Sequence, residues 1–169
     1  MKSLHVALVI GGTGMLADLV RSLTSDFDIV GVVGREKSKF LPLKVFSDKI
    51  VPIVVDYSDK AAFDKAIRAF INEYDKPSLL VSWVHSTSPD IPVMAASHCS
   101  RDFYDVTGTS GRNPNHISHE REAVIRQKNI RYHRVILGKI DGRWLTNKEI
   151  SSGVKLAIKT NASEHVVGE

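Results

Sequence analysis

Apolar positions along this chain fall into two patterns that take turns. Short strand-like runs rich in apolar residues occur at Leu4–Ile10, Asp28–Val33, Val51–Val55, Ser78–Val84, Asp102–Thr107, Tyr132–Leu137 and Glu164–Val167. Apolar-rich runs of this length predict strands buried largely on both faces of a sheet. Between them, apolar residues recur three and four apart. Met15–Leu23 places Leu16, Leu19, Val20 and Leu23 on one helical face, and Ser58–Tyr74 does so with Phe63, Ile67, Phe70, Ile71 and Tyr74. A basic helical segment is expected from Ser118 to about Lys128. Thr146 and Glu149 have the spacing of a capping box, with Leu145 and Ile150 as its hydrophobic staple, so a helix is expected from there to about Asn161. The segment Glu36–Lys49 holds Pro42 and predicts a short helix plus irregular chain. Pro52 is expected at the very start of the third strand, where no ladder donor is needed.

Strands alternating with helices predict an α/β fold: a Rossmann-like, doubly wound parallel sheet in three α/β/α layers, one domain spanning 1–169. The expected strand order is 3-2-1-4-5-6, with the last strand added at the edge. Ligands of such sheets lie outside the carboxyl ends of the strands, at the switch point between strands one and four. Residues that follow strands are therefore candidates, and residues that begin strands are not. On this ground Tyr132 and His133 are set aside, and Trp83 and Trp144 are read as packing residues.

The first strand runs directly into Gly11-Gly12-Thr13-Gly14-Met15-Leu16-Ala17. A glycine-rich turn between a strand and a helix brings backbone N–H groups and the positive end of the helix dipole towards an anion such as a dinucleotide pyrophosphate. Gly11, Gly12, Thr13, Gly14, Met15 and Leu16 are therefore the first cofactor-binding candidates. Gly34-Arg35 follows the second strand. A basic residue there accommodates the 2′-phosphate of NADP, where an acidic one would bind the ribose of NAD. Lys37 and Lys39 lie close behind. Asp56-Tyr57-Ser58 follows the third strand; Asp56 has the place to accept from an adenine amino group, Tyr57 to pack on the ring, and Ser58 to cap the next helix. His85 and Ser86 follow the fourth strand, as ribose-binding candidates. His85 is also the candidate proton donor, because its unperturbed pKa is near neutrality. Ser110 and Lys139 follow the fifth and sixth strands. Each of these residues also has an ordinary reading as a polar loop or solvated surface group.

Composition narrows the class. The chain has 169 residues, 43% hydrophobic and 25% charged, as soluble globular domains do. A net charge of +4 is a mild basic balance that suits an anionic cofactor and falls short of a nucleic-acid binder. One cysteine, Cys99, excludes an intrachain disulfide and suits a reducing, cytoplasmic compartment. No apolar run has the length of a membrane span. The expected partners are a small-molecule substrate or effector and, as an assembly state, a homodimer; neither nucleic acid nor a membrane is expected.

These features resemble the short-chain dehydrogenase/reductase superfamily, above all its atypical and extended branches. Gly11–Ala17, Gly34-Arg35 and Asp56–Asp59 carry the resemblance, and Val81–Thr87 stands where that family has an Asn-Asn-Ala-Gly run. The stretch Arg143–Asn147 followed by a helix resembles a small bacterial subgroup labelled short-chain dehydrogenases. The resemblance implies an NADP-dependent oxidoreductase acting on a small carbonyl or alcohol. The family's Tyr-x-x-x-Lys pair is absent: Tyr57, Tyr74, Tyr104 and Tyr132 all lack a lysine four residues later. The alternative is therefore a non-catalytic NADP-binding redox sensor.

Overall fold

The computed structural model describes residues 4–84, 90–108, 123, 125 and 129–169. Its main sheet has seven parallel strands in the order β3-β2-β1-β4-β5-β6-β9. They are β1 Val6–Ile10, β2 Ile29–Gly34, β3 Ile50–Val54, β4 Leu79–Trp83, β5 Asp102–Gly108, β6 Arg131–Leu137 and β9 Glu164–Val167. The order reverses between β1 and β4, as the alternating pattern predicts. A two-residue hairpin, β7 Lys139–Ile140 and β8 Arg143–Trp144, was not foreseen.

Alternation along each strand feeds two cores. Ala7 and Val9 of β1 face one side with α1 (Ala17–Leu23), α2 (Leu41–Phe46) and α5 (Asn147–Thr160). Val6, Leu8 and Ile10 face the other with α3 (Lys60–Glu73) and α4 (Ile91–Ala96). All five β1 residues are buried, the Val, Leu and Ile side chains each contributing roughly 1.5–3 kcal/mol. Ala123 and Ile125 of the expected basic segment are helical, and Ile125 is buried in the second core; the rest of Ser118–Lys128 lies outside the described residues.

Two local expectations change, and a third is met. Pro52 stands mid-strand, opposite Val32. β3 is an edge strand, and its odd-numbered residues face β2: Lys49 O accepts from Val30 N and Val55 N donates to Gly34 O. The Pro52 nitrogen therefore faces the open edge, where no donor is missed. The short helix expected in Glu36–Lys49 is α2, preceded by a 3-10 turn at Lys37–Phe40; Pro42 occupies the first turn of α2, where a backbone N–H would be unsatisfied in any case. Ser58 does not cap α3. Asp59 does, its side chain accepting from Ala62 N at 3.1 Å.

Candidate functional site

The carboxyl ends of β1 to β4 surround a cavity of about 340 Å³. Gly11, Thr13, Gly14 and Met15 form one wall, Arg35, Glu36 and Lys39 another, Asp56, Tyr57 and Ser58 a third, and Trp83 closes the fourth. Four separate stretches of sequence thus meet where the strand order reverses.

The glycine turn divides its labour. Gly11 has φ +83°, and a Cβ there would stand 2.6 Å from the Trp83 carbonyl oxygen, so only glycine fits. Gly12 faces the core: a Cβ would lie 2.9 Å from both Val20 and Val32. At Gly14 a Cβ would meet nothing within 4 Å, because that position opens onto the cavity. Ala17 N closes the turn onto Gly14 O at 3.1 Å, and the Thr13, Gly14 and Met15 amides have no acceptor among the described residues. Free amides around an opening are the chemistry of an anion cradle. Two of the candidates turn their side-chain positions to the core. Gly12 spaces the helix from the sheet and does not face the cavity. The Leu16 side chain is fully buried in the core, leaving only its backbone for a ligand.

Arg35 is exposed at the end of β2 and makes no ion pair with a described residue. Lys39, by contrast, pairs with Glu36 at 3.3 Å. Glu36 is a cavity residue that the sequence reading passed over. Asp56 Oδ1 accepts from Ser58 N at 2.9 Å and from Ser58 Oγ at 2.7 Å. These bonds, and the nearby Arg35 charge, outweigh slight desolvation and hold the Asp56 carboxyl below its ordinary range. It therefore presents an ionised acceptor to the cavity. Tyr57 is half-buried and packs against the second core while lining the same space.

Trp83 was read as packing alone, but it lines the cavity. Only its position as the last residue of β4 could have revealed this. Lys139 stands on β7, exposed and outside the cavity wall. His85, Ser86 and Ser110 lie outside the described residues. Tyr132 and His133 sit at the amino end of β6, away from the cavity, as their place at a strand start predicts.

A buried polar row runs towards this edge on the face that packs α3 and α4. Ser82 stands opposite Asp105, and Thr107 lies two residues further along β5. Tyr132 donates to Asp105 Oδ2 at 2.7 Å, whereas the buried Ser82 and Thr107 hydroxyls have no hydrogen-bond partner among the described residues. Buried hydroxyls without partners are uncommon and concentrate at functional sites.

No family model matches the chain, and no curated protein matches it. Solved structures do. A short-chain dehydrogenase/reductase from Serratia marcescens aligns with TM-score 0.70 at 17% identity, covering 97% of each chain. A metagenomic short-chain oxidoreductase in complex with NADP aligns with TM-score 0.71 at 16% identity, covering 98% of this chain and 97% of that one. A 3-oxoacyl-[acyl-carrier protein] reductase from Brucella melitensis aligns with TM-score 0.69 at 14% identity, covering 99% and 96%. The chain has the fold of these short-chain dehydrogenase/reductases. At such identities the likeness speaks for architecture, and function rests on the site.

Proposed function

We propose that this protein binds NADP(H) and acts as an oxidoreductase on a small carbonyl or alcohol. One observation carries the reading: turn amides and an Arg35 guanidinium without partners among the described residues, the open face of Gly14 and the ionised Asp56 all border one cavity at the switch point of the sheet. These residues fit a dinucleotide phosphate. The Thr13–Met15 amides would hold its pyrophosphate, and Arg35 its 2′-phosphate through a charge-assisted contact. Asp56 would accept from the adenine amino group beside Tyr57. When bound, NADPH supplies a hydride; the protein has to orient the acceptor and provide a proton. His85, next after Val84 at the end of the β4 run, is our candidate donor, with Ser86 beside it on the cofactor. The neighbour solved with NADP lends support.

The test is calorimetric titration with NADPH and NADH, followed by a carbonyl panel with NADPH. Preference for NADPH with turnover that falls in His85→Gln supports the enzyme. The missing Tyr-x-x-x-Lys favours the second reading, a redox sensor. Tight NADPH binding without turnover on any carbonyl would select it. No binding of either nucleotide would sink both.

A further inference from the structure

A second cavity, of about 750 Å³, opens at the other end of the sheet, beneath the amino ends of β1, β4 and β5. It shares no residue with the first. Its floor is a compact polar cluster. Asp102, the first residue of β5, accepts from Arg131 Nη2 at 2.8 Å and lies 3.4 Å from Arg101 Nε. Its other oxygen is 2.8 Å from His133 Nε2, and His133 Nδ1 is 2.8 Å from Ala162 O. Tyr104 stacks on His133, ring centroids 4.1 Å apart and 4° from parallel. Two guanidiniums thus converge on one carboxylate, so the cluster carries excess positive charge before His133 is counted. Lys76 and Asp75 on the rim offset each other.

Tyr104 is the informative residue. It is 98% buried, yet its phenol makes no hydrogen bond with a described residue. Tyr104 is one of the residues that line the cavity, so its unpartnered hydroxyl is a donor available to a ligand there. Phe27, Leu79 and Ile158 add apolar lining to the same cavity. The cavity therefore offers donors to an oxyanion and lining to an apolar body, within the usual size range of small-molecule sites.

We propose that this cavity binds a small organic carboxylate, its carboxylate held by Arg101 and Arg131 and reached by the Tyr104 hydroxyl, its apolar body against Phe27, Leu79 and Ile158. Guanidinium forks match carboxylates bidentately, and both arginines keep donors beyond those spent on Asp102. Burial pushes the Tyr104 phenol up to about 12, so it stays a donor at neutral pH. The inference does not rest on the nucleotide reading, because the two sites lie at opposite ends of the strands.

The test titrates the purified chain with 3-phenylpropionate by calorimetry, with 3-phenylpropanol and inorganic phosphate as controls. Arg101→Ala and Tyr104→Phe are compared with the parent after circular dichroism confirms folding. Arg101 is exposed and Tyr104→Phe keeps the ring stack, so both variants are expected to fold. We expect saturable carboxylate binding in the millimolar range or tighter. It should weaken about tenfold in Arg101→Ala and severalfold in Tyr104→Phe, with NADPH titrations unchanged in both. No saturable binding, or binding that both variants retain in full, overturns the proposal. So does equal binding of the alcohol, which would remove the anion from recognition, or of inorganic phosphate, which would remove the apolar body.

Discussion

Arg35 and Gly14 act on a ligand without holding the fold, which makes them clean probes. Arg35 is exposed and free of ion pairs with described residues, so Arg35→Ala should leave thermal stability unchanged. It should weaken NADPH roughly tenfold and leave NADH nearly as before, by the loss of one charge-assisted phosphate contact. Calorimetry on both cofactors decides it; an unchanged NADPH-to-NADH ratio would take Arg35 out of recognition. Gly14→Val places a branched side chain in space that is open in the protein but needed by a pyrophosphate. The variant should keep its circular dichroism spectrum and lose NADPH binding; a normal titration would put the phosphates elsewhere. Both positions were legible because the rule that sites follow strands needs only the strand ends. That Gly12 and the Leu16 side chain face the core was not legible for a physical reason. A sequence gives the turn's composition but not which residue faces the core, and Val9, Val20 and Val32 close around Gly12 only when β1, β2 and α1 pack. Glu36 and Trp83 escaped because their side-chain directions depend on the segment after β2 and the end of β4, neither of which has a periodic signature.

At the scale of elements, α5 shows how a local signal is realised. Thr146 accepts from Glu149 N at 3.1 Å, and Glu149 accepts from Thr146 N at 2.8 Å. Leu145 and Ile150 are buried on either side. Thr146→Ala should cost about 1 kcal/mol, read as a fall in Tm of roughly 2–4 °C. Glu149 is bound further by Arg143, through contacts of 2.8 and 3.1 Å. The Arg143 hydrogen bonds first, then the Thr146 amide, hold its carboxyl down at about 2, against 4.5 when free. A depressed acid stabilises the fold above its unfolded pKa and ceases to do so as pH falls through the folded one. The contribution should therefore be complete above pH 4.5 and decline towards pH 2. Glu149→Gln should flatten the Tm curve across that window and change its slope little at neutral pH. An unaltered acid limb would show that the pair does not contribute. The box was readable because all its partners are within a few residues. The β7–β8 hairpin was not, since two-residue strands leave no periodicity and are fixed by tertiary contact, as where Lys139 N donates to Glu169 O at 3.1 Å.

The whole molecule is a sheet with a cavity at each end and one buried thiol to report on its opening. The topology followed from the strand–helix rhythm alone, because parallel pairing with right-handed crossovers leaves few arrangements. What the rhythm could not disclose is the amino-end cavity. Asp102, Tyr104, Arg131 and His133 meet there only through the register between β5 and β6. Cys99 lies near that end, before β5, 6% exposed, its Sγ 3.3 Å from Asp102 O. Burial pushes its thiol up to about 11, which leaves almost no thiolate at neutral or mildly basic pH. A disulfide exchange reagent should therefore label the folded protein only through opening. Whether the opening is global or local can be read from linkage. A ligand that binds only the native state lowers the globally unfolded population by the factor 1 + [L]/Kd, so NADPH at 100 times its Kd should slow labelling about 100-fold. If labelling slows that much, Cys99 reports unfolding of the whole sheet and the nucleotide end is coupled to the opposite end through it. If NADPH binds by calorimetry yet labelling is unchanged, the opening is confined to α4 and the start of β5. Labelling at the rate of a free thiol would refute the buried placement itself.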